Sequence, residues 1–439
     1  MQKADGEQVR RTNRGLVLAL LREAGQAART DLTSATGLSP ATITAITADL
    51  ITEGLVTAEA GNTGASQLSE RPGDRAGAGR GRPRVALRIN GTGARFLVLR
   101  ILVNVVELAV CDYAGRVLAR DRQAMVTQGV ATSDFADRLA ARISSLLKSS
   151  QLSPAALACL FVASQGVVHG GTIRWSPAFG DRTMPLADEM GARLGLPCMV
   201  DNDANMLAHG LAHDPSGRFG DSFAAIMVDS GVGAGLRLDG KTYHGGQGGA
   251  GEIGHVNHEP GGPLCRCGRR GCLEAFVSDY GIFRHANGHA PDDPIHDVSA
   301  EDIETILKRA ESGDETALAA YARAGTALGY GMARLAALVD PSRIIVTGAG
   351  LAGWPYMSDA CKAAFDEALV DQLRDGTHVD IIPWDQDFII AGTIAAALDH
   401  LDRTMFADPD QAADYAARSL AEAKAAPMET AGAHREVAQ

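Results

Sequence analysis

Residues 251–274 read GEIGHVNHEPGGPLCRCGRRGCLE and hold three of the chain's seven cysteines. His255, Cys265, Cys267 and Cys272 form an H-x9-C-x-C-x4-C array. One imidazole and three thiolates complete a tetrahedral Zn²⁺ shell and leave no position open for a catalytic water. The array therefore predicts a structural zinc clamp, and Glu252 and Glu274, which bracket it, become two carboxylates in fixed positions. The alternative is a set of reduced thiols beside a solvent-facing histidine, as suits a cytosolic protein. Cys-x-Cys alone does not decide between the two. The longer Cys-x-Cys-Gly-x-x-Gly-Cys pattern with an upstream histidine favours metal. A disulfide is a poor fit, because Cys265 and Cys267 are too close in sequence to bridge well and three thiols leave one over. Cys111, Cys159, Cys198 and Cys361 lie among apolar residues and read as buried and inert.

A chain of 439 residues exceeds one ordinary core, so two or three domains are expected. The longest apolar stretch, 96–111, is interrupted by Arg100, Asn104 and Glu107, which excludes a membrane span there. The opening MQKADGEQVRRTNR lacks an apolar signal region, and a cytoplasmic protein is expected. Net charge is −12, which for the whole chain argues against nucleic acid. Its distribution argues otherwise. Residues 1–90 carry 12 Lys and Arg against 9 Asp and Glu, or +3, while the remainder carries 29 against 44, or −15. A basic head on an acidic body fits a protein whose head alone approaches phosphate.

Within the head, apolar residues at helical spacing (Leu16, Val17, Leu20, Leu21) predict a helix from Asn13, its N-cap, to Ala24. A second helix is expected over Thr30–Thr36, stopped by Gly37. Ser39 caps a third with Pro40 at its first position, where a missing N–H costs nothing. This helix presents Ile43, Ile46, Leu50 and Ile51 on one face and Thr42, Thr44, Ala45 and Thr47 on the other. Two helices joined by Gly-Leu-Ser make a helix-turn-helix, whose second helix enters the major groove. Ser39, Pro40, Ala41, Thr42 and Thr44 are the candidate DNA-contacting residues. Residues 54–57 and 84–88 alternate as two wing strands around a Gly-, Ser- and Arg-rich insertion at 61–79, expected to be flexible. Arg80, Arg82 and Arg84 place cations on a thin backbone suited to a narrow minor groove.

From residue 91 to 405 strands and helices alternate, which predicts an α/β body in two lobes. Past Asp402 the chain turns Ala-rich and charged, and a helical or frayed tail is expected over 406–439. Polar groups fall on turns after strands, where open α/β folds bind ligands: Asp201–Asn205, Asp229–Gly235 and Thr347–Gly350. Each Gly-rich turn has the thin backbone of an anion cradle, but taken singly fits a plain tight turn better. Asn202, Asp203, Glu252, His255 and Glu274 together supply the acceptors and donors that a polyol needs.

These residues and motifs (GRP closing the wing, VDNDAN, GxGxGxG with a following DGK, GEIGH, CxCGxxGCLE and DPxxIIVTGAG) resemble the ROK family of repressors and sugar kinases over about Asn13 to His400. The resemblance implies an N-terminal winged helix-turn-helix domain followed by an actin-like (ribonuclease H-like) two-lobed body. It implies a sugar held by Asn202, Asp203, Glu252, His255 and Glu274, with Asp203 at the position of the kinases' catalytic base. It also implies zinc on His255, Cys265, Cys267 and Cys272. Two departures stand out. Where the kinases carry a DIGGTK-like phosphate hairpin, this chain reads Arg100-Ile101-Leu102-Val103-Asn104-Val105, with an acid replaced by a cation and glycines by side chains. Phosphoryl transfer rests on positioning and electrostatics, so little catalysis should survive. Where the family often has Pro-Asn-Leu, this chain has Pro177-Ala178-Phe179, which predicts a less polar or differently shaped ligand.

The expected protein is a non-enzymatic, sugar-responsive regulator, a repressor in its simplest form. Its partners would be double-stranded operator DNA, a small-molecule sugar effector and a second copy of itself, as a homodimer or dimer of dimers. The competing expectation is an ATP-dependent sugar kinase that carries a DNA-binding head.

Overall fold

The computed structural model describes residues 2–60, 85–214, 216–385 and 388–425. Its body is built from two sheets with one topology. In the first, strand Cys198–Asn202 lies beside Leu157–Ser164, then Arg95–Leu102, Val105–Asp112 and Val117–Ala124. In the second, His378–Ile381 lies beside Arg343–Thr347, then Phe223–Val228, Val232–Leu238 and Lys241–Thr242. Each sheet is thus an antiparallel three-strand meander with two parallel strands added beside its first strand. The doubled pattern is that of a two-lobed actin-like body, and the C-terminal edge of each parallel set is where ligand-binding turns emerge.

The head has helices Gln2–Ala24, Arg29–Thr36 and Pro40–Thr52, with a three-stranded sheet of Ala27–Ala28, Val85–Ile89 and Val56–Ala60. Ser39 caps the third helix as expected, its hydroxyl accepting from Thr42 N at 3.1 Å. Gly37 ends the second helix in the left-handed region at φ 69°. Three expectations need correction. The first helix starts at least eleven residues before Asn13, because residues 2–12 are good helix formers without apolar periodicity. Leu16 faces solvent while Leu18 is fully buried, so the apolar stripe is turned from the one read off the sequence. Thr47 is buried rather than displayed, and its hydroxyl accepts from Arg29 Nε at 2.8 Å.

Head and body share one core. Val17, Leu21, Ile43 and Leu87 of the head belong to the same cluster as Phe96, Leu207, Ile389 and Phe406. Polar contacts lock the seam: Arg22 donates to both oxygens of Asp402 at 2.8 and 3.0 Å and to the Tyr113 carbonyl at 2.8 Å. Buried Arg14 reaches both Glu53 and the Phe406 carbonyl, and Asn90 donates to the Gly54 carbonyl at 2.7 Å. The chain past Asp402 continues as a π-turn, Leu401–Met405, and a helix, Pro409–Ala425. Far from fraying, this helix seats Tyr415 against the body, its hydroxyl donating to Ala156 O at 2.8 Å and accepting from Arg95 N at 3.1 Å.

Helix Phe388–His400 packs beneath the first sheet and crosses helix Asp203–Ala212. The crossing has no spare room. A Cβ on Gly392 would lie 1.8 Å from the Met206 carbonyl oxygen, and one on Gly210 would lie 3.1 Å from Gly392 Cα.

Candidate ligand cleft and metal centre

At the C-terminal edge of the first sheet, strand register places Arg100 opposite Ala163 and Asn202 opposite Ser164. Asn202 caps the helix that Asp203 begins, accepting from Ala204 N at 2.7 Å and Asn205 N at 3.2 Å. Its amide also donates to the Gly166 carbonyl at 2.7 Å. Asn202 therefore spends most of its capacity holding the turn in place and keeps one N–H for anything outside. Asp203 is 4% exposed, and its Oδ2 has no hydrogen-bond partner. Burial raises its carboxyl pKa and nearby Asp229 adds to this, against the opposing pull of Arg100 and the Ala204 N–H.

Glu252 and His255 come from the turn around Ile253–His255, and Glu274 from the start of helix Glu274–Val277. Burial, reinforced by Asp203 and Glu274, pushes Glu252 up to about 7. Glu274 is clamped: Oε2 accepts from Val232 N and Oε1 from Tyr280 Oη, both at 3.1 Å. Four of the five candidate sugar residues thus converge as a carboxylate-rich wall with one imidazole, and Asn202 braces it. Such a wall offers many acceptors to hydroxyl donors and little to an anion.

His255 resolves its two expected roles with its two nitrogens. Nδ1 lies 3.6 Å from Cys265 Sγ, while Nε2 faces Glu252 Oε2 at 3.7 Å. Cys267 Sγ and Cys272 Sγ are 3.7 Å apart, and all four ligand atoms lie within 4.8 Å of one another. A tetrahedral site with ordinary Zn–S and Zn–N bonds has edges of about 3.6–3.8 Å, so donor set and spacing fit such an ion. Tyr280 Oη lies 3.5 Å from Cys265 Sγ as well as touching Glu274, which couples the metal cage to the cleft wall.

Three features went unread in the sequence. Trp175 packs its edge on His255 with ring centroids 5.0 Å apart. Asp279 is pushed up to about 6 by burial and by Asp229. His244 bonds Asp201 at 2.8 Å on the cleft's lip. None carries a local motif; Trp175 comes from a segment distant in sequence, whereas Asp279 opens the helix that follows Glu274–Val277. One expectation shifts. Phe179 is 4% exposed and stacks on Phe135 at 5.0 Å, and Ala178 is fully buried, so the Phe179 ring faces the core. The glycines of Asp229–Gly235 fit the tight-turn reading. A Cβ on Gly235 would lie 2.0 Å from the Ala204 carbonyl oxygen, and Gly231 faces Glu274 Oε2.

Arg100 is buried, with Nε lacking a hydrogen-bond partner and a terminal nitrogen 3.7 Å from Glu107 Oε2. Burial raises the pKa of Asp229 as it does that of Asp203, and the Arg100 charge opposes the rise in both. The hairpin turn beyond it is fastened: Asn104 sits at φ 55°, and its Oδ1 accepts from Thr127 N at 3.0 Å. On the head, Ser39, Pro40, Ala41 and Thr44 are exposed and Thr42 half-buried. The Ser39 hydroxyl is shared with Thr42 Oγ1 at 2.8 Å, and Thr44 donates back to the Pro40 carbonyl at 2.7 Å. Arg80, Arg82, Arg84 and the 61–79 insertion lie outside the described residues.

The ROK family model matches residues 99–394. The chain belongs to the ROK family. Among its ROK relatives, the DNA-binding transcriptional repressor Mlc of Escherichia coli K12 is 25% identical over 350 residues, covering 77% of this chain and 81% of Mlc. A solved ROK family transcriptional regulator, a homologue of E. coli Mlc, superposes with TM-score 0.74 at 25% identity, covering 91% of this chain and 99% of its own. A ROK glucokinase from Streptomyces griseus, solved with glucose and AMPPNP, gives TM-score 0.54 at 27% identity and covers 69% of this chain and 98% of its own. The regulator likeness includes the head; the kinase likeness spans only about the length of the body. Among the described residues no helix is long and apolar enough to cross a membrane.

Proposed function

We propose that this ROK protein is a sugar-responsive transcriptional repressor acting in the cytoplasm. The observation that carries the reading is the fused seam: an exposed helix-turn-helix shares its core with a body whose cleft is lined by Asp203, Glu252, Glu274 and His255. A DNA-binding head joined this tightly moves with the body, so a ligand preferring one body conformation changes how the head is presented. The direction of communication is short. Asp203 starts a helix that crosses Phe388–His400 at Gly210 and Gly392, and that second helix leads directly into Asp402, which grips Arg22. The similarity to regulators over head and body supports the same reading.

In this reading Ser39, Pro40, Ala41, Thr42 and Thr44 lie in the major groove, where Ala and Thr methyls suit thymine methyls. Arg80, Arg82 and Arg84 follow the backbone or minor groove. Two heads in a homodimer, or a dimer of dimers, read paired half-sites. His255, Cys265, Cys267 and Cys272 hold one structural Zn²⁺, which when bound fixes the loop carrying His255 and Glu274. The His255 Nε2, Glu252, Glu274 and Asp203 then take sugar hydroxyls, with Asn202 positioning the turn.

The protein works without phosphoryl transfer. Arg100 puts a cation beside Asp203 and Asp229, and the fastened 102–105 turn carries side chains where a triphosphate would need bare backbone. The test is fluorescence anisotropy with DNA from upstream of the protein's own gene, with and without hexoses, pentoses and amino sugars. One sugar should shift operator affinity roughly 5–150-fold. No shift with any sugar, despite tight operator binding, would sink the effector claim. Release of ADP above background with ATP, Mg²⁺ and the same sugars would instead establish the kinase alternative.

A further inference from the structure

The described residues hold a second gathering of metal-ligand side chains, apart from the cysteine cage: His209, His213 and Asp399, whose ligand atoms lie within 4.8 Å of one another. His209 sits six residues into the helix that Asp203 begins, about 9 Å along its axis at 1.5 Å per residue. His213 is that helix's C-cap, and Asp399 lies in the last turn of the crossing helix Phe388–His400. The geometry points to a second transition-metal site here, with an N₂O donor set and open coordination positions, bracing the two helices that link the cleft to the head.

Four observations carry this. His209 Nε2 lies 3.4 Å from Asp399 Oδ2, the edge expected of a tetrahedral site with about 2.0–2.1 Å bonds. His213 Nε2 lies 3.9 Å from Asp399 Oδ1, within the small motion that an exposed end residue allows. His213 Nδ1 is fixed against the His209 carbonyl oxygen at 2.8 Å, so Nδ1 keeps the proton and Nε2 presents its lone pair. Finally, His209 Nε2 is buried and makes no well-formed hydrogen bond, meeting Asp399 Oδ2 only at the long edge of hydrogen-bond reach. Two histidines at i and i+4 on one helical face are a recurrent zinc-binding arrangement. Burial also lowers the His213 pKa, which favours its neutral form. Neutral imidazole and ionised carboxylate are the forms that bind metal. Arg403 approaches Asp399 Oδ2 at 3.9 Å and Arg237 interacts with the same carboxylate, so this site binds more weakly than the thiolate cage.

Imidazole and carboxylate ligands with open positions suit Zn²⁺, and Co²⁺ serves as its spectroscopic stand-in. The experiment titrates metal-free full-length protein with Co²⁺, counting bound metal by mass spectrometry while following absorption. Wild type should take up about two equivalents, one with a thiolate charge-transfer band and one without. H213A and D399N should each keep the thiolate band, bind about one equivalent, and lose the rise in melting temperature that the second equivalent brings. The His213 side chain is 42% exposed at a helix end, so H213A folds; unchanged melting of the metal-free variants confirms this for both. A single equivalent in wild type that carries the thiolate band, or no loss of metal in either variant, overturns the proposal. Failure of the cysteine cage would remove the thiolate band and leave the imidazole count unchanged, so the two sites are judged separately.

Discussion

The seam between head and body makes a quantitative prediction. Arg22 gives Asp402 two charge-assisted bonds at 2.8 and 3.0 Å, with side-chain exposures of 18% and 1%. Asp402 keeps one other partner, the Tyr113 hydroxyl. In Arg22→Met the carboxylate stays buried with that single donor, and breaking such a pair from one side costs about 3–5 kcal/mol. Asp402→Asn keeps an acceptor for Arg22 and removes the anion, so it should cost about 2 kcal/mol, near the worth of one hydrogen bond to a charged group. In the double variant no charge is orphaned and the loss should stay at about 3 kcal/mol, giving a coupling energy of about 2–4 kcal/mol. Urea unfolding followed by both tryptophan fluorescence and far-ultraviolet circular dichroism would supply these values, provided the two transitions coincide. Coupling below about 0.5 kcal/mol, with additive single losses, would show that the pair does not join the two parts. On the proposed reading, the double variant also binds operator while losing most of its response to sugar.

Gly392→Ala should destabilise by about 3 kcal/mol or more, since its Cβ would fall 1.8 Å from the Met206 carbonyl oxygen and the helices must part by over an ångström; urea midpoints measure this. Cys267→Ser should release the cage metal and expose the 252–274 segment to proteolysis, while operator binding without sugar persists in gel-shift assays. Glu252→Ala and Glu274→Ala should abolish the response to sugar and leave unliganded operator affinity within about threefold, a difference of about 0.7 kcal/mol. His244 gains a raised pKa first from its hydrogen bond to Asp201, so its contribution is fully present below the unfolded value and disappears as pH rises through the folded one. His244→Ala should therefore lower stability near pH 5.5 by under about 1 kcal/mol, given its half-exposed ring, and change nothing at pH 8.5 by thermal melting.

The helix-turn-helix and the metal array were legible because each is written in local chemistry: a Ser-Pro cap, a left-handed glycine, and cysteines at cage spacing. Carboxylates following strand ends could be picked out for the same reason. The early start of the first helix was not legible, since its first turns are polar and are held by distant partners such as Asp49 and Asp408. Thr47 and Phe179 were misplaced because a threonine and an aromatic look alike to periodicity whether they face solvent, cleft or core. The glycines at 231–235 were ambiguous in principle: an anion and a neighbouring helix both demand a bare backbone, and only the fold reveals which one is present. Trp175 and His244 reach the cleft through tertiary packing, and Asp279 by opening the helix just after Glu274–Val277.

The helix Pro409–Ala425 completes the joint on which helix Gln2–Ala24 rests, so the first and last described helices meet at one place. A ribosome releases the reading head hundreds of residues before it releases the segment that seats it. Chains cut short of that helix thus carry a head without its seat, and only chains that include it clasp the two helices into an obedient switch.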